Sequence, residues 1–189
     1  MNFQNYFEEE IKLLCQDNLA EFGYVKDYLL TPGKQFRPQI YLDYVSKYRD
    51  LNQADLAIAS AIEILHLFFL VHDDIMDGDV LRRDKPTIHA YYSKDFGELK
   101  GNGVGIVVGD LLFSRAIRQF VTNLKNQEAL KIVFDIIDIT AKGQLDEYLL
   151  LPGSNSSTFN VLSYYESKTA LYSIYLPLVL GYFQCNDKI

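Results

Sequence analysis

The chain has 189 residues, of which 49% are hydrophobic and 23% charged, and its formal net charge is -7. This length and composition predict a single globular domain, residues 1–189, with a sizeable core. The negative charge disfavours nucleic acid as the main ligand, because phosphate backbones attract basic surfaces. Cys15 and Cys185 are far apart and have no companions, so we expect neither a disulfide framework nor a zinc site, which fits a reducing cytoplasm.

The apolar residues recur with the period of an α-helix, and no alternating strand or hairpin turn stands out, which predicts an all-α fold. Asn52 or Asp55 is the expected cap of the third helix, and Ser157 or Thr158 that of the last. Pro177 predicts a kink or an early end of the last helix. The predicted helices cover residues 3–22, 36–49, 53–77, 104–124, 127–150 and 158–183, with breaks at 32–33, 78–86, 97–103 and 152–157. The longest apolar stretches, 64–71 and 171–183, are too short or too interrupted to predict a membrane span.

The most informative segment is His-Asp-Asp-Ile-Met-Asp at residues 72–77. On a helix Asp73 and Asp77 face the same way, while Asp74 points elsewhere. Two carboxylates so placed can hold Mg2+, which prefers to share the phosphate oxygens of a substrate. The same pattern alone also fits a solvated helix face. The apolar residues 61–71 that precede it favour carboxylates with a metal or another partner.

Cationic residues follow and precede this segment. Arg82 and Arg83 can bind phosphate through two hydrogen bonds each. Lys34 and Arg37 lie at a turn after Gly33, where a flexible glycine lets the backbone approach a ligand, although a plain basic loop is the alternative. Further polar residues in apolar surroundings are Asp110, Gln144, Asp146, Glu147, Lys168, Thr169 and His66, each of which could instead be a buried hydrogen-bonding group.

The order of these segments resembles the trans-isoprenyl diphosphate synthase, or polyprenyl synthetase, family over residues 30–183. The shared motifs are GKxxRP, ExxH before HDDxxD, RRxKPTxH, GD before an apolar run, GQ with acids, and KTA. The resemblance implies an all-α helical bundle of the isoprenoid synthase type, of which this chain is the N-terminal part.

The resemblance also assigns site residues. It implies that Asp73 and Asp77 bind Mg2+ on an allylic diphosphate with the support of Asp74, and that Glu147 or Asp146 supplies a further metal contact. The allylic diphosphate would also contact Arg82, Lys168, Thr169 and Gln144. The diphosphate of the second substrate, isopentenyl diphosphate, would be held by Lys34, Arg37, His66 and Arg83. The catalytic residues so implied are Asp73, Asp77, Arg82 and Lys168.

The implied reaction ionises dimethylallyl or geranyl diphosphate with release of diphosphate, and the double bond of isopentenyl diphosphate captures the allylic cation. Loss of a proton to the released diphosphate then restores an allylic product. Phe68 and Phe69 precede Asp73 by five and four residues, about 6 to 7.5 Å along a helix at about 1.5 Å per residue. There they would floor the pocket for the growing tail and favour a C15 product, with C10 or C20 as alternatives. Plain core packing is the other interpretation of these two rings.

The pattern departs from the family at three places. Gln35 occupies a position at which the family often has a further basic residue. Glu147 occupies the position of the aspartate in the family's GQxxD motif. The second aspartate-rich motif, expected several tens of residues after KTA, is absent from the 189 residues. We therefore expect a fragment of a longer synthase, which is weak or inactive as it stands.

Two other functions remain open at this stage. A genuine short protein could be a noncatalytic partner subunit that binds isoprenoid diphosphates. A class I terpene cyclase also uses DDxxD and Mg2+, but it needs no second diphosphate site, so the GKxxRP and RRxKPTxH motifs argue against it. A homodimer is expected from the resemblance alone.

Overall fold

The computed structural model describes residues 2–15, 22–31, 33–149 and 166–186. These residues form two compact units, Met1–Gln35 with Asn52–Asn123, and Phe36–Leu51 with Leu124–Ile189. Almost all the regular structure is helical, so the all-α prediction is confirmed. The helices are α1 (Phe3–Leu14), α2 (Phe22–Leu29), α3 (Phe36–Ser46), α4 (Gln53–Asp77), α5 (Ile88–Phe96), α6 (Glu98–Asn123), α7 (Gln127–Leu149), a π-helical segment (Glu166–Tyr175) and α8 (Leu176–Cys185).

Helix α4 is the centre of the first unit and packs mainly against α6 and also against α1 and α5. It starts at a capping box, in which Asn52 and Asp55 each accept a hydrogen bond from the other's backbone N–H, at 3.2 and 2.8 Å. It ends at Gly78, which adopts the left-handed conformation with φ 70°. The prediction of a helix over 53–77 is therefore confirmed. The signals at both of its ends are local in the sequence.

Helix α4 is also long and apolar enough to cross a membrane, with a mean hydropathy of 1.9 in its most apolar window. The structure buries 72% of that window inside the protein. Burial of this extent is what the core helix of a packed domain shows, because its apolar side chains already have protein neighbours.

Helix α6 begins earlier than the sequence predicts. The expected break at residues 97–103 is confined to Gly97, the C-cap of α5 with φ 84°, because α6 runs from Glu98 straight through its glycines. A Cβ on Gly101 would lie 2.0 Å from Ser93 Oγ, and one on Gly105 would lie 2.6 Å from Cδ1 of Ile75. These glycines therefore allow α6 to pack closely on α5 and α4 rather than interrupting it.

A short hairpin and a further helix lie where the sequence predicts neither. Strands β1 (Leu81–Arg82) and β2 (Lys85–Pro86) pair antiparallel, and helix α5 follows them. Arg83 and Asp84 connect the strands with φ of 51° and 61°. Two consecutive positive φ values are typical of the type I′ turn, which is usually built from Asn and Gly. The absence of those residues explains why the hairpin is not predicted.

The second unit contains α3, α7, the π-helical segment and α8. Helix α3 packs against α8, and the π-helical segment packs against α7. Pro177 lies in the first turn of α8, where π-helical geometry gives way to α-helical geometry. Of the predicted kink or early end at Pro177, the early end is wrong, because the helix continues to Cys185. The predicted caps Ser157 and Thr158, and the predicted helix start at 158, lie outside the described residues.

Candidate active site

The last turn of α4 carries the three aspartates in three different environments. Asp77 is exposed, Asp73 is half-buried, and Asp74 is only 1% exposed. Asp73 and Asp77 are four residues apart and so lie on one side of the helix. This arrangement separates two carboxylates suited to a cation from a third that is turned into the protein.

Asp74 is held by two residues from other segments of the same unit. Arg82 donates from Nε to Oδ1 at 2.5 Å, and the Tyr28 hydroxyl donates to Oδ2 at 2.9 Å. Burial raises the pKa of Asp74 against the opposing effect of these two hydrogen bonds. Burial, followed by the nearby Asp74 carboxylate, raises the pKa of Tyr28. Both carboxylate oxygens of Asp74 are therefore engaged by the protein itself.

The ion pair with Asp74 also fixes the direction of Arg82. Its Nη2 lies 3.4 Å from an oxygen of Asp79, and its side chain is 27% exposed. Two further residues of the RRxKPTxH motif hold the hairpin to Asp79, which lies two residues before its first strand. Thr87 Oγ1 and His89 Nε2 both donate to the Asp79 carbonyl, at 2.7 and 2.9 Å. The guanidinium of Arg82 is thus placed beside the aspartates by a network of backbone and side-chain contacts.

Arg83 joins the hairpin to the end of α2. It donates from Nη1 to the Thr31 carbonyl at 3.0 Å, and a Cβ on Gly33 would lie 2.6 Å from its Nη2. Lys34 follows Gly33 and is exposed. The structure thus brings the glycine of GKxxRP against the second arginine of RRxKPTxH, two motifs that are about fifty residues apart in the sequence. His66 is buried within α4, with 9% of its surface exposed.

Arg37, in the second unit, is buried to 8% exposure. Its Nε donates to Ser173 Oγ at 3.0 Å and its Nη2 donates to the Tyr172 hydroxyl at 3.1 Å. The guanidinium also lies 4.5 Å from the centre of the Phe36 ring and 4.9 Å from that of Tyr172. In the part of the chain that the structure describes, no carboxylate forms an ion pair with it.

The remaining predicted site residues also belong to the second unit. On α7, Gln144 and Glu147 are half-buried and Asp146 is exposed. Thr169 is exposed in the π-helical segment. Lys168 belongs to the same segment, but its side chain lies outside the described residues. The choice between Asp146 and Glu147 as a metal contact stays open.

An aromatic cluster in the first unit lies on the N-terminal side of the aspartates along α4. The Phe68 ring is 4.9 Å from Phe69, 4.8 Å from His72 and 5.1 Å from Phe113 of α6, measured between ring centres. Phe68 and Phe69 are half-buried rather than buried. Nothing in the sequence connects Phe113 to its distant partners, and the same holds for Tyr28, Tyr172 and Ser173, so these residues are not predicted.

The site residues fit a hard cation by their chemistry. Among the described residues no group of three or more His, Cys, Asp or Glu is arranged to hold a metal ion. Asp73 and Asp77 nevertheless offer carboxylate oxygens on one helix side, the donors that Mg2+ prefers when a substrate supplies its other ligands. Asp73 and Asp77 lie at the end of an apolar helix, and Asp74 holds the Arg82 guanidinium at the same helix end. These are the donors and the charge that a metal-bound phosphate ester would require.

Comparison with known proteins extends this conclusion. A protein-family model described as "Polyprenyl synthetase" matches residues 20–188. A short chain isoprenyl diphosphate synthase of Methanocaldococcus jannaschii is 33% identical over 147 residues, 76% of this chain and 42% of the relative. An octaprenyl diphosphate synthase of Escherichia coli is 28% identical over 138 residues, 73% of this chain and 40% of the relative.

A solved structure has the same fold. The geranylgeranyl pyrophosphate synthase of Corynebacterium glutamicum, complexed with isoprenyl diphosphate and magnesium, has a TM-score of 0.72 and 24% identity, covering 95% of this chain and 58% of that one. The chain belongs to the polyprenyl synthetase family. It spans less than half the length of the two curated relatives described above.

Proposed function

We propose that the chain is a prenyltransferase, which condenses isopentenyl diphosphate with dimethylallyl or geranyl diphosphate to a short-chain trans-prenyl diphosphate. The product that we propose has 15 carbon atoms (C15). The observation that supports the proposal is the ion pair of Arg82 with Asp74, which holds a guanidinium at the last turn of α4, the turn that ends at Asp77. A bound cation and a fixed positive side chain both stabilise the charge of a departing diphosphate. Family membership supports the same reaction class.

In this proposal the residues have separate tasks. Asp73 and Asp77 hold Mg2+, which when bound stabilises the negative charge of the departing diphosphate. Arg82, Gln144, Lys168 and Thr169 contact the allylic diphosphate, and Asp146 or Glu147 supplies a further metal contact. Lys34, Arg37, His66 and Arg83 hold isopentenyl diphosphate. Asp74 supports the metal-binding pair by orienting Arg82.

The apolar part of α4 has the second task of keeping water away. Its residues from Ala57 to Leu67 are buried, and the Phe68 cluster continues this apolar surface toward the aspartates. Exclusion of water protects an allylic cation from hydrolysis and strengthens the electrostatic interactions at the site. The rings of Phe68, Phe69 and Phe113 would limit the tail of the product. The names of the relatives range from short chain to octaprenyl, so C15 rests on these rings.

The test is a Mg2+-dependent assay of the 189-residue chain with labelled isopentenyl diphosphate and either allylic diphosphate, followed by separation of products by chain length. Incorporation of label into a C10 to C20 product supports the proposal. Product from an allylic diphosphate alone would identify a cyclase instead. Binding of both diphosphates without turnover, in this chain and in a chain extended through a second aspartate-rich motif, would identify a noncatalytic subunit; turnover in the extended chain alone would identify a truncated synthase. We further propose a homodimer in the cytoplasm, which sedimentation and cell fractionation test.

A further inference from the structure

Arg37 is a buried cation whose partners in the described part of the chain are neutral. Ser173 is 2% exposed and Tyr172 is 8% exposed, so both hydroxyl groups lie in the same buried environment as the guanidinium. Their oxygens accept hydrogen bonds from Nε and Nη2 of Arg37, at 3.0 and 3.1 Å. Three of the five guanidinium N–H groups, two on Nη1 and one on Nη2, are not used by these two bonds.

These two hydroxyl groups orient the charge of Arg37 without neutralising it. A carboxylate partner would compete with an incoming anion for the guanidinium, whereas a hydroxyl group fixes its plane and leaves its charge intact. The rings of Phe36 and Tyr172 restrict the same plane through cation–π contact. Burial of a charged group costs free energy unless an opposite charge pairs with it, and an anionic ligand supplies that opposite charge.

We propose that Tyr172 and Ser173 are positioning residues, which hold Arg37 in the orientation that binds the diphosphate of the homoallylic substrate. This inference rests on the proposed function, which places Arg37 in that site. In this proposal both residues act through Arg37. Tyr172 and Ser173 lie in the π-helical segment that also carries Thr169, and α3 packs against that segment.

The experiment measures binding of isopentenyl diphosphate by calorimetry to the 189-residue chain and to Tyr172→Phe and Ser173→Ala. Each variant removes one hydroxyl group and little else. We expect each to bind isopentenyl diphosphate about tenfold more weakly, equivalent to about 1.4 kcal/mol. Binding of dimethylallyl diphosphate with Mg2+ should change less than about twofold, because Arg37 is not assigned to that diphosphate. Tyr175→Phe, in the same segment but 50% exposed, is the matched control.

A double-mutant cycle separates positioning from general damage. In an Arg37→Gln background, Tyr172→Phe should cost no further affinity, because its effect requires the guanidinium. Thermal melting of each variant checks that it is folded. In the assay with turnover, Tyr172→Phe should raise the KM for isopentenyl diphosphate more than it lowers kcat.

Three results would overturn the inference. Variants that bind isopentenyl diphosphate like the native chain exclude a positioning role. Equal loss of both diphosphates indicates a structural role, and so does an additive cycle with Arg37→Gln. If the native chain binds no isopentenyl diphosphate at all, the proposed function fails first and this inference falls with it, so the two failures are distinguishable.

Discussion

The imidazole ring of His72 lies directly against the backbone of Gly109. A Cβ on Gly109 would be 2.1 Å from Nε2 and 2.3 Å from Cδ2 of His72. His72 Nε2 is also 3.3 Å from the Ile106 carbonyl. The Gly-Asp motif of α6 therefore has a packing function, because the missing side chain makes room for a ring of α4.

Substitution of Gly109 tests this packing. We expect Gly109→Ala to lower the free energy of unfolding by about 1–3 kcal/mol, because the added methyl group displaces the His72 ring. Gly103→Ala, in the same helix with no neighbouring atom within 4 Å, should instead raise it by about 0.5–1 kcal/mol through helix propensity. Urea denaturation measures both. His72→Ala should recover most of the loss in the double variant, and strict additivity would contradict a direct clash.

The Tyr28 hydroxyl group should stabilise the fold below pH 10 and less above it. At neutral pH we expect Tyr28→Phe to lower the free energy of unfolding by about 1–2 kcal/mol, because the buried Asp74 carboxylate loses a hydrogen bond. The pKa of Tyr28 is higher in the folded chain than its usual value of 10.0. Between these two values the unfolded chain loses this proton and the folded chain keeps it.

The stability that Tyr28 contributes is therefore complete below about pH 10 and declines as the pH rises toward its folded pKa. Denaturation of the native chain and Tyr28→Phe at pH 7, 9 and 11 measures the difference. Tyr148→Phe, which is 62% exposed, is the control and should match the native chain at each pH. A difference that grows between pH 9 and 11 would contradict this assignment.

The three aspartates of α4 should respond differently to replacement by asparagine. Asp73→Asn and Asp77→Asn should weaken Mg2+ binding in the presence of dimethylallyl diphosphate by at least about tenfold, because Mg2+ depends on carboxylate oxygens. Asp74→Asn should weaken it less, but should lower the free energy of unfolding by about 2–4 kcal/mol, because Arg82 loses its buried partner. Calorimetry and denaturation measure the two effects. A large Mg2+ effect with no loss of stability in Asp74→Asn would make Asp74 a metal ligand.

Phe113 should limit product length together with Phe68. If the chain is the proposed prenyltransferase, Phe68→Ala and Phe113→Ala should each shift the product distribution to longer chains, because their rings touch and their removal opens the same space. Phe96→Ala, whose ring is 53% exposed, should leave the distribution unchanged. Chromatography of labelled products measures the shift. An unchanged product length in both variants would leave core packing as the role of these rings.

Local signals made α4 predictable from the sequence. Its capping box, its apolar period and its terminal glycine all lie within residues 52–78, so the bounds of the helix follow from neighbouring residues. The start of α6 is different, because the same glycines that suggest a break are tolerated by close helix packing. The sequence cannot reveal which helix will approach a glycine.

The candidate site divides in the same way. The motif residues Asp73, Asp77, Arg82 and Arg37 could be named as candidates from spacing and resemblance. Their partners could not, because Tyr28 is 46 residues from Asp74 and Tyr172 is 135 residues from Arg37. Tertiary hydrogen bonds of this kind leave no periodic pattern in one sequence.

The path from Asp77 to Arg82 is fixed at both ends. Gly78 stops α4 in a left-handed conformation, and the turn at Arg83 and Asp84 sets the pairing of the two short strands. One inserted or deleted residue would send each following strand side chain to the opposite face. Val80 and Leu81 are 61% and 62% exposed, so their identity is little constrained. Val80 and Leu81 can therefore change in identity more easily than the connection can change in length, and an insertion or deletion here should be rarer than a substitution at these two positions.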